Sequence, residues 1–558
     1  MLERSREDTL RIGTPPGGSH RPGGSYRSGG SYRSDGSYRS DGPARPGASG
    51  SRPAGAGLGS GSPVGGVRTG RARSVSVVYG DALDGIRRRR TVPEQRYRRM
   101  AKYGFYVTLG YLMFGRAFSY VGLAPASLFI GEITIVAMFV YRPTRKVIAG
   151  LLHQFNRPGR FHILALAIVL FLAYGVLEAV RGMINGGDPV SLVKSLQLHY
   201  YTVLLAFGIW LGTTSPVFLE KLAWALAWGN AVYGVAYSAF LNKQMITLPG
   251  AAGVPLFDLG LTCSALAVLG LVAYPRKSRW TIPLALANVA VLFGHQIRAE
   301  WVSLIVALVV WCLLTRRLRR LMAGLGALLL LLVAVTAANV SLPGPADRGG
   351  SVKVGDIIGR ALGPISPELA QKYTSESRAQ GAAGTADFRQ EWWKGIIHSS
   401  ESNPTTLLFG HGYSFNLQSL APPGKVDPTV RSPHNLFFYS LGYLGIVGLA
   451  LLLLYLGTLG VLCWRVYKLT GNPIGLVILL ANVVSAQFEP WLESPFGAAA
   501  CYLLVGICLA PLTSTGPHAR EMVRYTGPPK AYHPGPPPRL PRPAASRLRR
   551  PPALARVS

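Results

Sequence analysis

The sequence predicts an all-α polytopic membrane protein of about twelve transmembrane helices, with one long extracytoplasmic loop and a disordered tail at each end. Three observations carry that prediction. Hydrophobic residues make up 49% of the 558 and mean hydropathy is positive, more apolar material than one soluble core of ordinary size needs. Apolar stretches of ~17 to 25 residues recur between short polar connections. The basic residues, finally, crowd into alternate connections, as the positive-inside bias requires. A formal net charge of +33 would point to nucleic acid in a soluble chain. Here topology explains the charge, and no nucleic-acid partner is expected.

Residues 1–100 form the first tail. In it "GGSYRSGGSYRSDGSYRSDG" repeats Tyr26, Tyr32 and Tyr38 six residues apart in a Gly/Ser/Arg background. Such a stretch buries too little apolar area to offset its conformational entropy, so disorder is expected. The polar start also predicts no cleavable signal peptide, so insertion begins at the first membrane helix. The tail ends in "IRRRRTVPEQRYRRMAK", a cationic block read as a topology signal, with contact to anionic membrane lipids as the alternative.

Residues 101–512 form the membrane domain. Spans are expected near 103–121, 123–141, 162–180, 199–213, 222–240, 257–274, 281–296, 301–315, 321–340, 434–462, 473–488 and 496–512. Within the first two, Arg116 and Glu132 are expected to pair across a hairpin, because an ionisable side chain at membrane depth needs a partner. A cytoplasmic N-terminus puts "YRPTRK", "YPRKSRW", "TRRLRR" and "WRVYK" on one side, and the C-terminus is then cytoplasmic too. Residues 513–558, rich in Pro and Arg, are the second disordered tail. The five cysteines lie in or beside apolar segments, and neither a disulfide nor a zinc-like spacing is indicated.

This orientation sends sparser polar loops outward: 181–199, 242–258, the turn "GHQIRAE", the stretch 339–433 and "FEPWLESP". The loop 339–433, about 95 residues, is far longer than a connection needs, so function is expected there. Just after it, "SPHNLFFYSLGYLGIVG" opens a long apolar run. Ser432 is read as an N-cap, Pro433 as the first helical residue and His434 as part of the first turn. The helix dipole then disfavours an imidazolium and favours a nearby anion. A neutral base beside an anion site suits deprotonation of an acceptor hydroxyl during transfer from a phosphorylated donor. The competing reading leaves His434 as a polar residue bonded to a loop. Gly442, Gly445 and Gly448 read as a helix-packing face.

Within the long loop, "ADFRQEWWKGIIHSSESNPTTLLFGHGYSFN" sets Arg389, Trp392 and Trp393 on a short amphipathic pattern ahead of Gly410 and Gly412. Arg389 can hold a phosphate in bidentate fashion, or can be solvated or paired with an acid. The tryptophans can lie at the membrane surface or stack on a sugar face. Arg298, on the outer side where positive charge is least expected, calls for a local partner, either an anionic substrate or Glu300. Arg181 follows the same logic.

The segment His434, Asn435, nine residues, Gly445, two residues and Gly448 resembles the O-antigen ligase family, which shares its fold with O-antigen polymerases. "FRQEWWKGII…NPTTLLFGHGYSFN", the Arg298-Ala299 step and "GRAFSYVGLAPASLFIGE" resemble that family in the same order, over roughly residues 100–510. The resemblance implies a C-type glycosyltransferase in the cytoplasmic membrane with its active site outside. It would move a glycan from undecaprenyl pyrophosphate to an acceptor hydroxyl on a glycan or lipid, with no metal or other cofactor. His434 would be the catalytic base, and Arg298, Arg389 and, less closely matched, Arg181 would bind the donor. The basic tails and Ala299 depart from the family pattern. A polymerase using the same lipid-linked donor is the alternative. A transporter or flippase is a further class, which would show internal repeats and broken helices.

Overall fold

In the computed structural model, residues 93–513 are described apart from 124–127, 154–160, 245, 249–253, 277, 340, 345–350 and 423–431. The tyrosine repeat and nearly all of both predicted tails lie outside the described residues. What is described is mostly helical, with short antiparallel pairs Gly122–Leu123 with Leu128–Phe129 and Leu342–Pro343 with Ser351–Val352.

In chain order the helices are α1 (Pro93–Ser119), α2 (Ile130–Val140), α3 (Arg142–His153), α4 (His162–Ile184), α5 (Pro189–Ser195), α6 (Gln197–Tyr200) and α7 (Leu204–Thr214). They continue with α8 (Phe218–Gly229), α9 (Val235–Ala239), α10 (Cys263–Ala273), α11 (Thr281–His295), α12 (Arg298–Leu314) and α13 (Leu318–Ala337). Next come α14 (Val354–Leu362), α15 (Pro367–Gln371), α16 (Glu376–Glu401) and α17 (Pro404–Phe409). Last are α18 (Leu436–Thr470), α19 (Ile474–Ser485) and α20 (Pro495–Leu509).

A helix occupies each of the twelve expected span positions. Among the described residues, three are long and apolar enough to cross a membrane: His162–Ile184, Leu436–Thr470 and Pro495–Leu512. The pair Pro189–Thr214 and Phe218–Ala239, bent by 103°, makes a fourth if it is one span. Shorter apolar helices such as α10, with 11 residues, cover only ~16 Å of a ~30 Å hydrocarbon core at 1.5 Å per residue. The segment predicted as a long loop is not irregular chain, because α14 to α17 fold within it.

α20 is the centre of the bundle, with every residue from Pro495 to Leu509 buried. It lies close against α7 because both helices present glycine at the contact. A Cβ on Gly208 would stand 2.3 Å from the Leu503 carbonyl oxygen, and one on Gly506 2.4 Å from that of Leu205. Close backbone approach through small residues is how helices pack where lipid removes the hydrophobic drive between them. α4 shows the opposite pattern, exposing Ile163, Leu170, Val176, Leu177 and Met183, a face suited to acyl chains rather than water.

Among the described residues two helices are broken at a glycine of positive φ. In α1 the break is Gly115 (φ 45°), and the groups it frees are taken by the chain before α10. Gly260 N–H donates to the Met113 carbonyl (2.9 Å), and Arg116 N–H donates to Asp258 Oδ2 (2.8 Å). In α18 the break is Gly445 (φ 66°). The predicted Arg116–Glu132 pair does not form. Glu132 accepts from the Phe129 amide and from the hydroxyls of Tyr200 and Tyr201, which satisfies it without a cation.

Candidate active site at the start of α18

Asn435, not Ser432, caps α18. Its Oδ1 accepts from the amides of Phe437 (2.9 Å) and Phe438 (3.2 Å), and Leu436 N–H donates to the Ala486 carbonyl (2.8 Å). The expected first-turn placement of His434 is corrected accordingly. His434 precedes the helix with left-handed φ of 54°, uncommon outside glycine, and two of the first-turn amides that were to attract an anion are used by Asn435. Ser432 serves the turn instead. Its Oγ accepts from the His434 amide at 3.1 Å, and its hydroxyl donates to Glu493 Oε1 at 2.7 Å.

The connection between α19 and α20 supplies the carboxylates. Glu489 Oε2 stands 3.7 Å from His434 Nδ1, with both side chains about one-quarter exposed. Glu493 is buried, and that burial pushes its carboxyl up to about 7 against the opposing effect of the Ser432 hydroxyl.

α16 lies across this end. Trp392 is fully buried and donates its indole N–H to the Leu417 carbonyl (2.8 Å). Trp393 donates to the Pro433 carbonyl (2.8 Å) and stacks on Phe438 at 5.0 Å between ring centroids. The Trp393 indole therefore fixes α16 to the start of α18, and the Trp392 indole fixes it to the chain at Leu417. They lie one turn beyond Arg389, whose guanidinium donates to the Phe488 carbonyl at 2.8 Å. Desolvation lowers the pKa of Arg389, and the charge of Glu489 opposes that shift. Arg389 and His434 thus meet on the same short segment, Phe488–Glu489.

Arg181 sits one step further along. It donates to the Phe409 and Gly410 carbonyls (3.2 Å each) and pairs with buried Glu178 at 3.3 Å. The loop it holds fills the break in α18. His411 N–H donates to the Gly442 carbonyl and Gly412 N–H to that of Tyr443, both at 2.9 Å, while the Tyr174 hydroxyl takes that of Leu444 at 2.8 Å. A Cβ on Gly410 would be 2.4 Å from the Tyr443 carbonyl, and one on Gly445 2.4 Å from that of Leu408. Gly442 and Gly448 do pack as expected, against Leu417 and Tyr174, but Gly445 is the break itself. His411 completes this wall, with Nε2 3.0 Å from Ser399 Oγ. Burial first and the Arg181 charge second lower its pKa, so it stays neutral near pH 7.

Arg298 is the first residue of α12. The far end of that helix touches the far end of α18, where the Tyr467 hydroxyl donates to the Leu314 carbonyl (2.8 Å). α12 packs along α19, which returns antiparallel from that end to the start of α18, so Arg298 lies at the same end of the bundle as His434. Glu300, offered as its partner, accepts from the Ala265 amide (3.0 Å) and faces His295 Nδ1 at 3.5 Å.

Residues 283–453 match the family model described as O-antigen ligase. This match supports the resemblance to the O-antigen ligase family over that stretch. No curated protein matches the chain. The O-antigen ligase match takes in Arg298, Arg389, His434, Gly445 and Gly448, whereas Arg181, Glu489 and Glu493 fall outside it. Glu489 and Glu493 are not among the candidates named from the sequence. Their signal was present in "FEPWLESP", two carboxylates four residues apart in a short polar connection on the predicted outer side.

Proposed function

We propose that this membrane protein is an O-antigen ligase-like glycosyltransferase. It takes a polysaccharide from undecaprenyl pyrophosphate and attaches it to an acceptor hydroxyl on the outer side of the cytoplasmic membrane. The observation that supports this reading best is the convergence of His434 and Arg389 on the Phe488–Glu489 segment, with Arg298 and Arg181 at the same end of the bundle.

In the proposed reaction His434 Nε2 accepts the proton of the acceptor hydroxyl as its oxygen attacks the anomeric carbon. The new C–O bond replaces the bond from that carbon to the diphosphate. The electron pair leaves with the polyprenyl diphosphate, whose added charge Arg389, Arg298 and Arg181 offset. The proton held by His434 then passes to solvent or to the departing diphosphate, restoring the base.

A transporter would use broken helices to expose polar groups to a pathway. The break at Gly445 is instead filled by the backbone of residues 410–412, which favours a fixed site over a moving one.

In membranes supplied with an undecaprenyl-diphosphate-linked glycan, His434→Ala and Arg389→Ala should reduce transfer by about 10²-fold or more while the protein remains inserted. Wild-type transfer by either variant removes that residue from the site. Cells lacking the protein separate ligase from polymerase. Lipid-linked polymer of normal length accumulates if the enzyme ligates, and single lipid-linked repeat units accumulate if it polymerises.

A further inference from the structure

We infer that Glu489 is the positioning residue for His434, a carboxylate that hydrogen-bonds Nδ1 in the loaded enzyme and so commits Nε2 to the acceptor hydroxyl. This deepens the reading above and rests on it.

Four observations carry it. His434 Nδ1 is shut off from solvent and takes no hydrogen bond among the described residues, although buried ring nitrogens are ordinarily satisfied. The nearest carboxylate oxygen, Glu489 Oε2, stands 3.7 Å away, and closing by under ~1 Å would make the bond, a tightening that catalytic contacts commonly undergo on loading. The imidazole is held from the other side, because its backbone is locked at φ 54° with its amide on Ser432 Oγ, itself bonded to Glu493. Finally, Arg389 is electrostatically coupled to Glu489 and is the group proposed to engage the donor diphosphate. A diphosphate that draws Arg389 toward itself leaves the carboxylate to the imidazole, so donor binding and base orientation are linked.

The charged and titratable groups of this cluster come from each packed element. They are Arg389 on α16, Glu489 and Glu493 between α19 and α20, and, at the same end, Arg298 on α12. A carboxylate beside an imidazole stabilises the imidazolium that forms as the proton is taken, so removing that charge weakens His434 as a base.

The test compares wild type, Glu489→Gln, Glu489→Asp and His434→Ala in membranes, using an undecaprenyl-diphosphate-linked glycan as donor. Glu489→Gln should lower kcat about tenfold to hundredfold, as loss of an orienting partner does elsewhere. It should not raise the donor KM, because it removes a competitor of the diphosphate for Arg389, and it should move the acid limb of the kcat/KM profile to lower pH. Glu489→Asp, which keeps the charge, should keep the limb in place at a reduced rate. A wild-type rate and limb in Glu489→Gln, with His434→Ala inactive, overturns this assignment alone. So does a raised donor KM with unchanged kcat, which would give Glu489 to the donor. Wild-type transfer by His434→Ala overturns the reading beneath it.

Discussion

The two broken helices solve one problem in different ways. At Gly115 the chain before α10 supplies one amide, from Gly260, and one carboxylate, Asp258, and the repair joins α1 to a single neighbour. At Gly445 three freed carbonyls are met by His411, Gly412 and Tyr174, which come from two different regions, and Arg181 locks the incoming loop from outside. The first repair holds a helix to its neighbour. The second brings α4, α17 and α18 together, with α16 tied in through Ser399 and His411. It does so at the end of the bundle where His434 and Arg389 share the Phe488–Glu489 segment, so it supports the proposed site as well as closing the break.

That contrast predicts unequal consequences. Gly445→Ala should be the most damaging, since it combines a positive φ with a Cβ 2.4 Å from the Leu408 carbonyl oxygen and 2.5 Å from the Gly410 amide nitrogen. A loss of about 3–5 kcal/mol is expected, with transfer activity falling alongside the melting temperature in detergent. A variant that melts early yet transfers normally would separate the break from the site.

Next in size is a pH effect confined to the α18 end. Glu493 titrates near 7 when folded, above its ordinary 4.5, so its contribution to stability is full below 4.5 and is lost as pH rises through 7. Up to about 3 kcal/mol of pH dependence should disappear in Glu493→Gln, read as melting temperature from pH 4.5 to 8.

Gly115→Ala meets the Gly260 Cα at 2.9 Å and should cost about 2 kcal/mol. The activity of the protein that still folds should be normal, and a selective loss of transfer would erase the distinction between the two breaks. Tyr174→Phe, which leaves the Leu444 carbonyl without its partner, should be the mildest at about 1 kcal/mol.

Part of this architecture was legible: a helix lies at each of the twelve positions the hydrophobic runs marked, three of them long and apolar enough to cross a membrane among the described residues. The polar connections offered Arg181, Arg298, Arg389 and His434 as candidates. What escaped were features fixed by groups distant in sequence. Gly442, Gly445 and Gly448 read alike as a packing stripe, and nothing within the run says that Gly445 meets the backbone of Leu408 and Gly410. Ser432 carried every local sign of a cap, but Asn435 took the amides and Glu493, sixty-one residues on, took Ser432. Trp392 was offered to the membrane surface or to a sugar face, and its indole is instead buried and bonded to the Leu417 carbonyl.

The seam between residues 410–412 and 442–445 is made largely of main chain. Its contacts run from backbone to backbone, so what they ask of the sequence is room for close approach. Gly410 and Gly445 therefore behave as a matched pair of vacancies, and an alanine at either would jam the other strand of the seam. The address of the proposed site on the bundle is written in two missing side chains as well as in Tyr174 and Arg181.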